Sequence, residues 1–338
     1  MVRKFGLAAM FLGTFVLVLA IMSKFYMYDR LAVVPMNNTS TNTAETAEGS
    51  DAEYLNAAEG LVITNGPLKN TKLVTGDVKA SKAASKELDR DVAVWNIYDC
   101  TAAPSFDCSS GESALSATND TVAFDRHTGE TVKWSGNRIE TEGETTKAAK
   151  FEGLYFKFPF DAQKKTYQFW DGTLNKATPA KYVGEGTVKG MKVYKYRQTI
   201  EPVVTGPIDV PGTLVGSEES TVTADQVYSS VTDYSVDPVT GVVLVGQTAQ
   251  DNYLEVDGER TVTTTKATLK YTDKTTTDSV DEYKSKATLL TAVKTWIPIG
   301  GAVIGVLLIG LGIFLRRGRD HDTAGARRAD SDDLVDAR

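Results

Sequence analysis

Histidine and cysteine are almost missing from this chain: its 338 residues include two of each. A zinc site or an iron–sulfur cluster built on those ligands has too few residues to draw on. A Ser-His-Asp mechanism would have to use His127, because His321 lies beyond the second of two long apolar runs. No Gly-x-Ser-x-Gly elbow, Walker phosphate loop, dinucleotide fingerprint or EF-hand loop occurs. Acidic residues are plentiful, but none sits in a motif that marks a catalytic pair. A basic excess is absent as well: 37 Lys plus Arg stand against 44 Asp plus Glu, a net charge of −7. A general nucleic-acid binder needs a basic surface that this balance does not supply. The expectation is a non-enzymatic protein with no cofactor, no metal and no nucleic-acid partner.

What is present begins with the two apolar runs. Residues 5–22 carry no charge and are long enough to cross a bilayer as a helix. Bulky Ser23-Lys-Phe-Tyr-Met-Tyr28 follows where a signal peptide would show a small-residue cleavage site, so the run reads as an uncleaved anchor. Residues 296–315 are also uncharged and are followed at once by Arg316, Arg317 and Arg319. With Arg3 and Lys4 before the first run, the positive-inside rule puts residues 1–4 and the tail, 316–338, in the cytoplasm and everything between the two helices outside. Phe25, Tyr26, Tyr28 and Trp296 fall at the outer ends, where amphipathic rings favour the headgroup layer. Small residues invite the helices to touch, and antiparallel packing is expected to bring Ala9 and Gly13 to the depth of Gly310 and Gly312. The tail holds six Arg and six Asp and almost no large apolar residue, so it is expected to be disordered. The outer segment then carries a net −9, which disfavours adhesion to anionic headgroups.

That segment, residues 23–276, reads as β-rich. Polar residues 35–51 are expected to form an exposed connection or a poorly buried edge. From Asp91 onward, short β-branched and aromatic runs alternate with Gly, Asp and Pro. The strands expected are 92–98, 121–124, 131–134, 166–170, 192–200, 242–245, 253–256 and 262–271, with Asp257-Gly258 as a hairpin turn. Leu154, Phe156, Phe158 and Phe160 alternate with Tyr155, Lys157 and Asp161, the pattern of a strand with one apolar face. Together with Phe169 and Trp170 they are either ordinary core or the lining of an apolar cavity for a lipid chain. Two segments, Phe124-Asp-Arg-His-Thr-Gly129 and Val236-Asp-Pro-Val-Thr-Gly241, share apolar-Asp-x-x-Thr-Gly, a turn in which Asp caps amides and Gly takes positive φ. The pair fits either convergent turn chemistry or a duplicated sub-domain. Cys100 and Cys108 flank a short loop outside the membrane, where oxidation is permitted, and a structural disulfide is expected. Residues 277–295 are helical in pattern and are expected to run into the second span, 296–315.

The elements Lys157-Phe-Pro-Phe-Asp161 and Tyr167-Gln-Phe-Trp-Asp171, with Gly190-Met-Lys-Val-Tyr-Lys-Tyr196 and Val236-Asp-Pro-Val-Thr-Gly241, resemble the actinobacterial DUF3068 family, often labelled the porin PorA family. The resemblance spans nearly the whole chain and implies a high-GC Gram-positive cell envelope. The arrangement of terminal helices around a β-rich domain is also similar to scavenger receptors of the CD36 type, in architecture alone. The fold expected is mainly β: a large antiparallel extracytoplasmic domain, barrel or sandwich like, held between two transmembrane helices. The leading functional expectation is an envelope lipid or lipid-linked molecule bound by Leu154, Phe156, Phe158, Phe160, Phe169 and Trp170. A pore or transport component, as the family label implies, and a scaffold for envelope-assembly proteins are the alternatives. Membrane lipid and assembly proteins are the expected partners.

Overall fold

The computed structural model describes residues 2–47, 51–56, 60–106, 108, 114–141 and 144–317. The expected disordered tail, from residue 318 onward, lies outside the described residues. The chain divides into a helical unit, residues 1–32 with 288–338, and an outer unit, residues 33–287.

The helical unit contains α1 (Val2–Met22), a π turn (Ser23–Met27) and α2 (Tyr28–Leu31). Its second arm belongs to an uninterrupted helical run over residues 273–317, made of α4 (Asp273–Thr291), a π turn (Ala292–Trp296) and α5 (Ile297–Arg317). Both arms are long and apolar enough to cross a membrane. Their packing follows a seven-residue rhythm. Gly6, Gly13 and Ala20 form one stripe on α1, since residues seven apart return to the same side of a helix, and Gly305 and Gly312 do so on α5. A Cβ on Gly13 would come within 2.7 Å of the Gly305 carbonyl, and one on Gly6 within 3.0 Å of the Gly312 carbonyl. Gly13 therefore meets Gly305, whereas the sequence pattern sets it at the depth of Gly310 and Gly312. Two positions from Gly312 on a 3.6-residue turn, Gly310 points away, with nothing within 4 Å of its Cβ position.

The two π turns leave one backbone group stranded. Ile297 N–H donates to the Ala292 carbonyl instead of the Val293 carbonyl, and the next residue, Pro298, has no N–H to give. Ser23 Oγ, itself buried in the first π turn, donates to the Val293 carbonyl across the helix pair at 2.8 Å. In apolar surroundings such a group costs several kcal/mol when unmet, roughly 2–7 by transfer data.

The outer unit is one mainly antiparallel sheet. Its first strands are β1 (Thr39–Thr46), β2 (Ala52–Asn56), β3 (Val62–Gly66) and β4 (Lys69–Gly76), followed by α3 (Val78–Leu88), β5 (Val92–Ala102), β6 (Ser116–Asp125), β7 (Arg138–Thr141) and β8 (Glu144–Lys147). After an irregular segment come β9 (Tyr167–Asp171), β10 (Lys176–Val188), β11 (Met191–Pro211), β12 (Thr221–Val236), β13 (Val243–Val256) and β14 (Glu259–Tyr271). Among the described residues the strand order is β8-β7-β6-β5-β4-β1-β14-β13-β12-β11-β10-β9, with β2 and β3 added beside β14. Among the described residues the sheet is not closed by a strand ladder. It curls instead, so that Val122 of β6 and Trp170 of β9, from opposite arms, share a core with Phe151. Asp257 and Gly258, both at positive φ, make the expected tight turn between β13 and β14. Cys100 and Cys108 form the expected disulfide.

Three expectations give way. Residues 39–46 are no exposed connection: β1 lies between β4 and β14 and pairs with both. Thr and Ser suit an extended backbone, and a strand bonded on both sides needs no apolar face when water reaches its side chains. Residues 154–160 form no strand; Pro159 and the positive φ of Gly153 and Asp161 break the run, and only Leu154 makes isolated bridges, to Glu130 and Phe169. Residues 131–134 contribute only the bridge from Thr131 to Phe124.

Replacing Ser23 with Ala is expected to strand the Val293 carbonyl and destabilise the helix pair by about 1–3 kcal/mol. Replacing Gly13 with Ile is expected to separate the helices outright. Both are read by SDS titration of the detergent-purified full-length chain followed by circular dichroism; unchanged midpoints would contradict the seam and the hydrogen bond.

Candidate functional site

Residues 151–162 form a strap that crosses between the two arms of the curled sheet, held by the two like turns. In the first, Asp125 Oδ1 accepts from the amides of His127 and Thr128, at 2.9 Å each, and the Gly129 amide donates to the Asp125 carbonyl. In the second, the Asp237 carboxylate accepts from the Thr240 amide at 3.0 Å and from its hydroxyl, and Gly241 donates to the Asp237 carbonyl. The strap joins the first turn through Thr131 N–H to the Gly153 carbonyl. It joins the second where Phe158, Asp161 and Ala162 donate to the carbonyls of Gly241, Val239 and Pro238. His127 is half exposed in its turn, 3.4 Å from Asp91.

The six aromatic and aliphatic residues singled out from sequence fall into three packed groups. Leu154, Phe158 and Phe169 pack with Tyr196, Phe158 stacking on Tyr196 at 4.4 Å between ring centroids. Phe156 and Phe160 lie against Trp95 and Phe124. Trp170 packs on Phe151 at 5.0 Å, in a cluster that Phe156 also touches. The rings fill the space between one another, and this packing lends the lipid-lining role no support. Lys157 lies among them, buried. Its Nζ donates to the Phe158 carbonyl at 2.7 Å and sits 3.9 Å from the Phe160 ring centroid. Burial lowers its pKa from 10.5 to about 7, against the pull of the nearby Asp237 carboxylate.

Beyond the strap the interior turns polar. Residues paired in register share a face, so the rows Tyr196–Tyr234–Gly246, with the Tyr271 ring against Gly246, Gln198–Thr232–Thr248–Leu269 and Ile200–Ser230–Gln250–Ala267 run successively away from the strap. Tyr234 donates to Gln198 Oε1 at 2.7 Å, and Thr232 and Thr248 hydroxyls meet at 3.1 Å. On the same inner face of the other arm, Lys72 pairs with Asp99 at 2.9 Å, and their side chains remain 41% and 29% accessible. An inward ion pair with that much accessible surface leaves room for water beside it. Lys72 is held above its ordinary range chiefly by Asp99.

Deeper in, burial pushes the Asp120 carboxyl up to about 6, although the Tyr155 hydroxyl donates to its Oδ2 at 2.6 Å. Asp120 Oδ1 and Trp170 Nε1 are buried without a hydrogen-bond partner among the described residues. Asp171 is also raised by burial and accepts from the Tyr228 hydroxyl at 2.9 Å. At the row farthest from the strap lies a cavity of about 560 Å³, bordered by Ile200, Ser230, Gln250 and Ala267 with Asp51, Glu201, Asp251 and Lys266. None of the six residues chosen from sequence lines it.

Sequence reasoning missed this polar interior because it sought apolar linings. The available signal was Gly246-Gln-Thr-Ala-Gln-Asp-Asn252, half of a long strand without a large apolar residue on either face. A strand of that kind in mid-sheet needs water on both sides.

Comparison with known proteins places these features in a family. A family model described as Porin PorA matches residues 5–314. The chain is 28% identical over 236 residues to a protein named Porin PorA from Corynebacterium amycolatum, the match covering 60% of this chain and 58% of that protein. It is 35% identical over 74 residues to a Porin PorA from Corynebacterium resistens, covering 20% of this chain and 18% of that one. The chain thus spans less than two thirds of the length of the curated relatives it matches.

The buried lysine has a measurable pH signature. Between about pH 7 and 10.5 the folded chain holds fewer protons at Lys157 than the unfolded chain, so this residue makes stability rise with pH across that window and costs most below it. Replacing Lys157 with Met is expected to stabilise the outer domain by about 1–3 kcal/mol near pH 6, the gain fading toward about pH 10. Thermal unfolding of both proteins at the two pH values checks this; a pH-independent difference would show that Lys157 holds its proton equally in the folded and unfolded chains, and would contradict the lowered pKa.

Proposed function

The chain belongs to the Porin PorA family, and from that premise we propose that it is a membrane-anchored cell-envelope protein whose outer domain takes part in passing small polar solutes. The observation that carries this reading is the polar inner face of the curled sheet, whose far row borders a cavity of about 560 Å³ together with Asp51, Glu201, Asp251 and Lys266. Such a lining matches a solute that keeps its hydrogen bonds, not an acyl chain.

Two apolar helices enclose no water path of their own, because a spanning passage in lipid must be walled by several helices or by a closed barrel. The conducting unit in this reading is therefore an assembly of several copies. In this reading both termini face the cytoplasm and the domain lies outside, an orientation that the Arg and Lys flanking the two helices support. The protein acts without catalysis, with membrane lipid and envelope-assembly proteins around it.

Full-length protein purified in detergent and added to a planar bilayer is expected to give discrete conductance steps. Charge reversal at Glu201 and Asp51 is expected to move the reversal potential in a salt gradient toward anions. Mass spectrometry of small molecules extracted from the same preparation tests the lipid-carrying alternative through Leu154, Phe156, Phe158, Phe160, Phe169 and Trp170. A silent bilayer together with a stoichiometric envelope lipid would replace the pore reading with that one.

A further inference from the structure

Among the described residues of the outer unit, eight large aliphatic side chains are exposed: Val62, Ile63, Leu73, Val78, Val183, Val203, Val204 and Ile208. Five of them sit on two strand edges. Val62 and Ile63 belong to β3, which pairs with β2 alone. Val203, Val204 and Ile208 belong to the part of β11 beyond Gln198, where the pairing with β10 ends. Chance exposure would scatter such residues over the faces and would not collect them where backbone donors and acceptors also stand free.

The two edges are the ends of one layer. β3, β2, β14, β13, β12 and the far part of β11 lie side by side, and every pairing among them is antiparallel. With an even number of strands, β3 and β11 run in opposite directions. A neighbouring copy turned about an axis along the strands would set its β3 antiparallel to the first copy's β11, and the alternation would continue unbroken. Prolines narrow the place. Pro202, Pro207 and Pro211 interrupt the free edge, which discourages indiscriminate strand addition, and leave Val203–Gly206 as a short window beside the five residues of β3.

We infer that the partner of both edges is a second copy of this chain, with β3 of one copy lying along Val203–Gly206 of the next. The contact is head-to-tail, so it propagates from copy to copy and closes into a ring when the rotation allows. It rests on the multi-copy reading of the function, and it supplies the element that two helices alone lack.

Cysteine trapping in the full-length chain tests the contact. Cys100 and Cys108 are already joined to each other, which leaves introduced thiols as the reactive ones. Ile63→Cys is combined in turn with Val203→Cys, Val204→Cys and Thr205→Cys, and each protein is oxidised in vesicles of phosphatidylcholine and phosphatidylglycerol. At least one double variant is expected to give a ladder of dimers, trimers and higher species on a non-reducing gel, while every single variant stays monomeric. Dimers from a single variant would mean a symmetric contact and overturn the proposal, as would adducts with a different protein.

Conductance is recorded on the same preparations, without oxidation. A ladder from a silent protein keeps this contact and removes the pore; conductance with no ladder in any combination keeps the pore and removes this contact. Neither result removes both. Ile63→Lys with Val204→Lys provides an independent reading, because it is expected to abolish assemblies seen by native mass spectrometry while leaving the thermal unfolding of the domain in place. Assemblies that survive the double Lys variant would overturn the proposal.

Discussion

A backbone N–H or carbonyl withdrawn from water has to find a partner, and in the outer domain that requirement is met at one place on behalf of the whole sheet. The strap of residues 151–162 crosses the gap between β6 and β9 without forming a strand, so its amides and carbonyls depend on whatever borders it. Two turns of the same construction border it. Each spends an Asp carboxylate on its own amides; beside the first, the Thr131 amide donates to the strap's Gly153 carbonyl, and the second offers the carbonyls of Pro238, Val239 and Gly241 to strap amides. With the strap in place, its rings become the dry end of the interior and the arms of the sheet are drawn together. Gly241 makes the approach feasible: its φ is +76°, and a Cβ there would collide with the Phe158 carbonyl.

The helical unit answers the same requirement in a harder solvent. A proline at the second residue of α5, within a helical run that has already begun, would ordinarily leave an orphan carbonyl facing lipid. Here the π turn moves the orphan to Val293, on the side of the helix pair that Ser23 can reach, and the glycines every seven residues bring the backbones close enough for a side chain as short as serine. The irregularity and the close packing are therefore parts of one arrangement.

How much of this could be read beforehand depends on where the information sits. Long apolar runs, the Asp257-Gly258 hairpin, the paired Asp-x-x-Thr-Gly turns and the Cys100–Cys108 bridge are local patterns, and each was legible. For Phe156 and Phe158 the sequence offers core or cavity lining on a strand of period two; in the structure the alternation reflects rings sent into different clusters by a chain that Gly153 and Pro159 bend. β1 was read as a connection because burial was assumed to require apolar residues. The polar interior went unseen for the same reason. Lys72, Asp99 and Asp120 are scattered along the sequence and come together only through register, a non-local property that composition does not carry.

The place of β1 also bears on how the domain is made. Ala44 pairs with Tyr271, so a strand near the start of the outer domain stands beside its last strand. Nearly the whole domain must emerge before that ladder can form, and the strand ladder from β4 to β8 is not continuous with the ladder from β9 to β13 until β14 arrives. Chains dominated by such distant pairings fold slowly and spend longer with strand edges open. Thr39-Ser-Thr-Asn-Thr-Ala-Glu-Thr46 is suited to that wait. It is extended enough to pair when its partner comes, and too polar to be captured by another unfinished chain in the meantime.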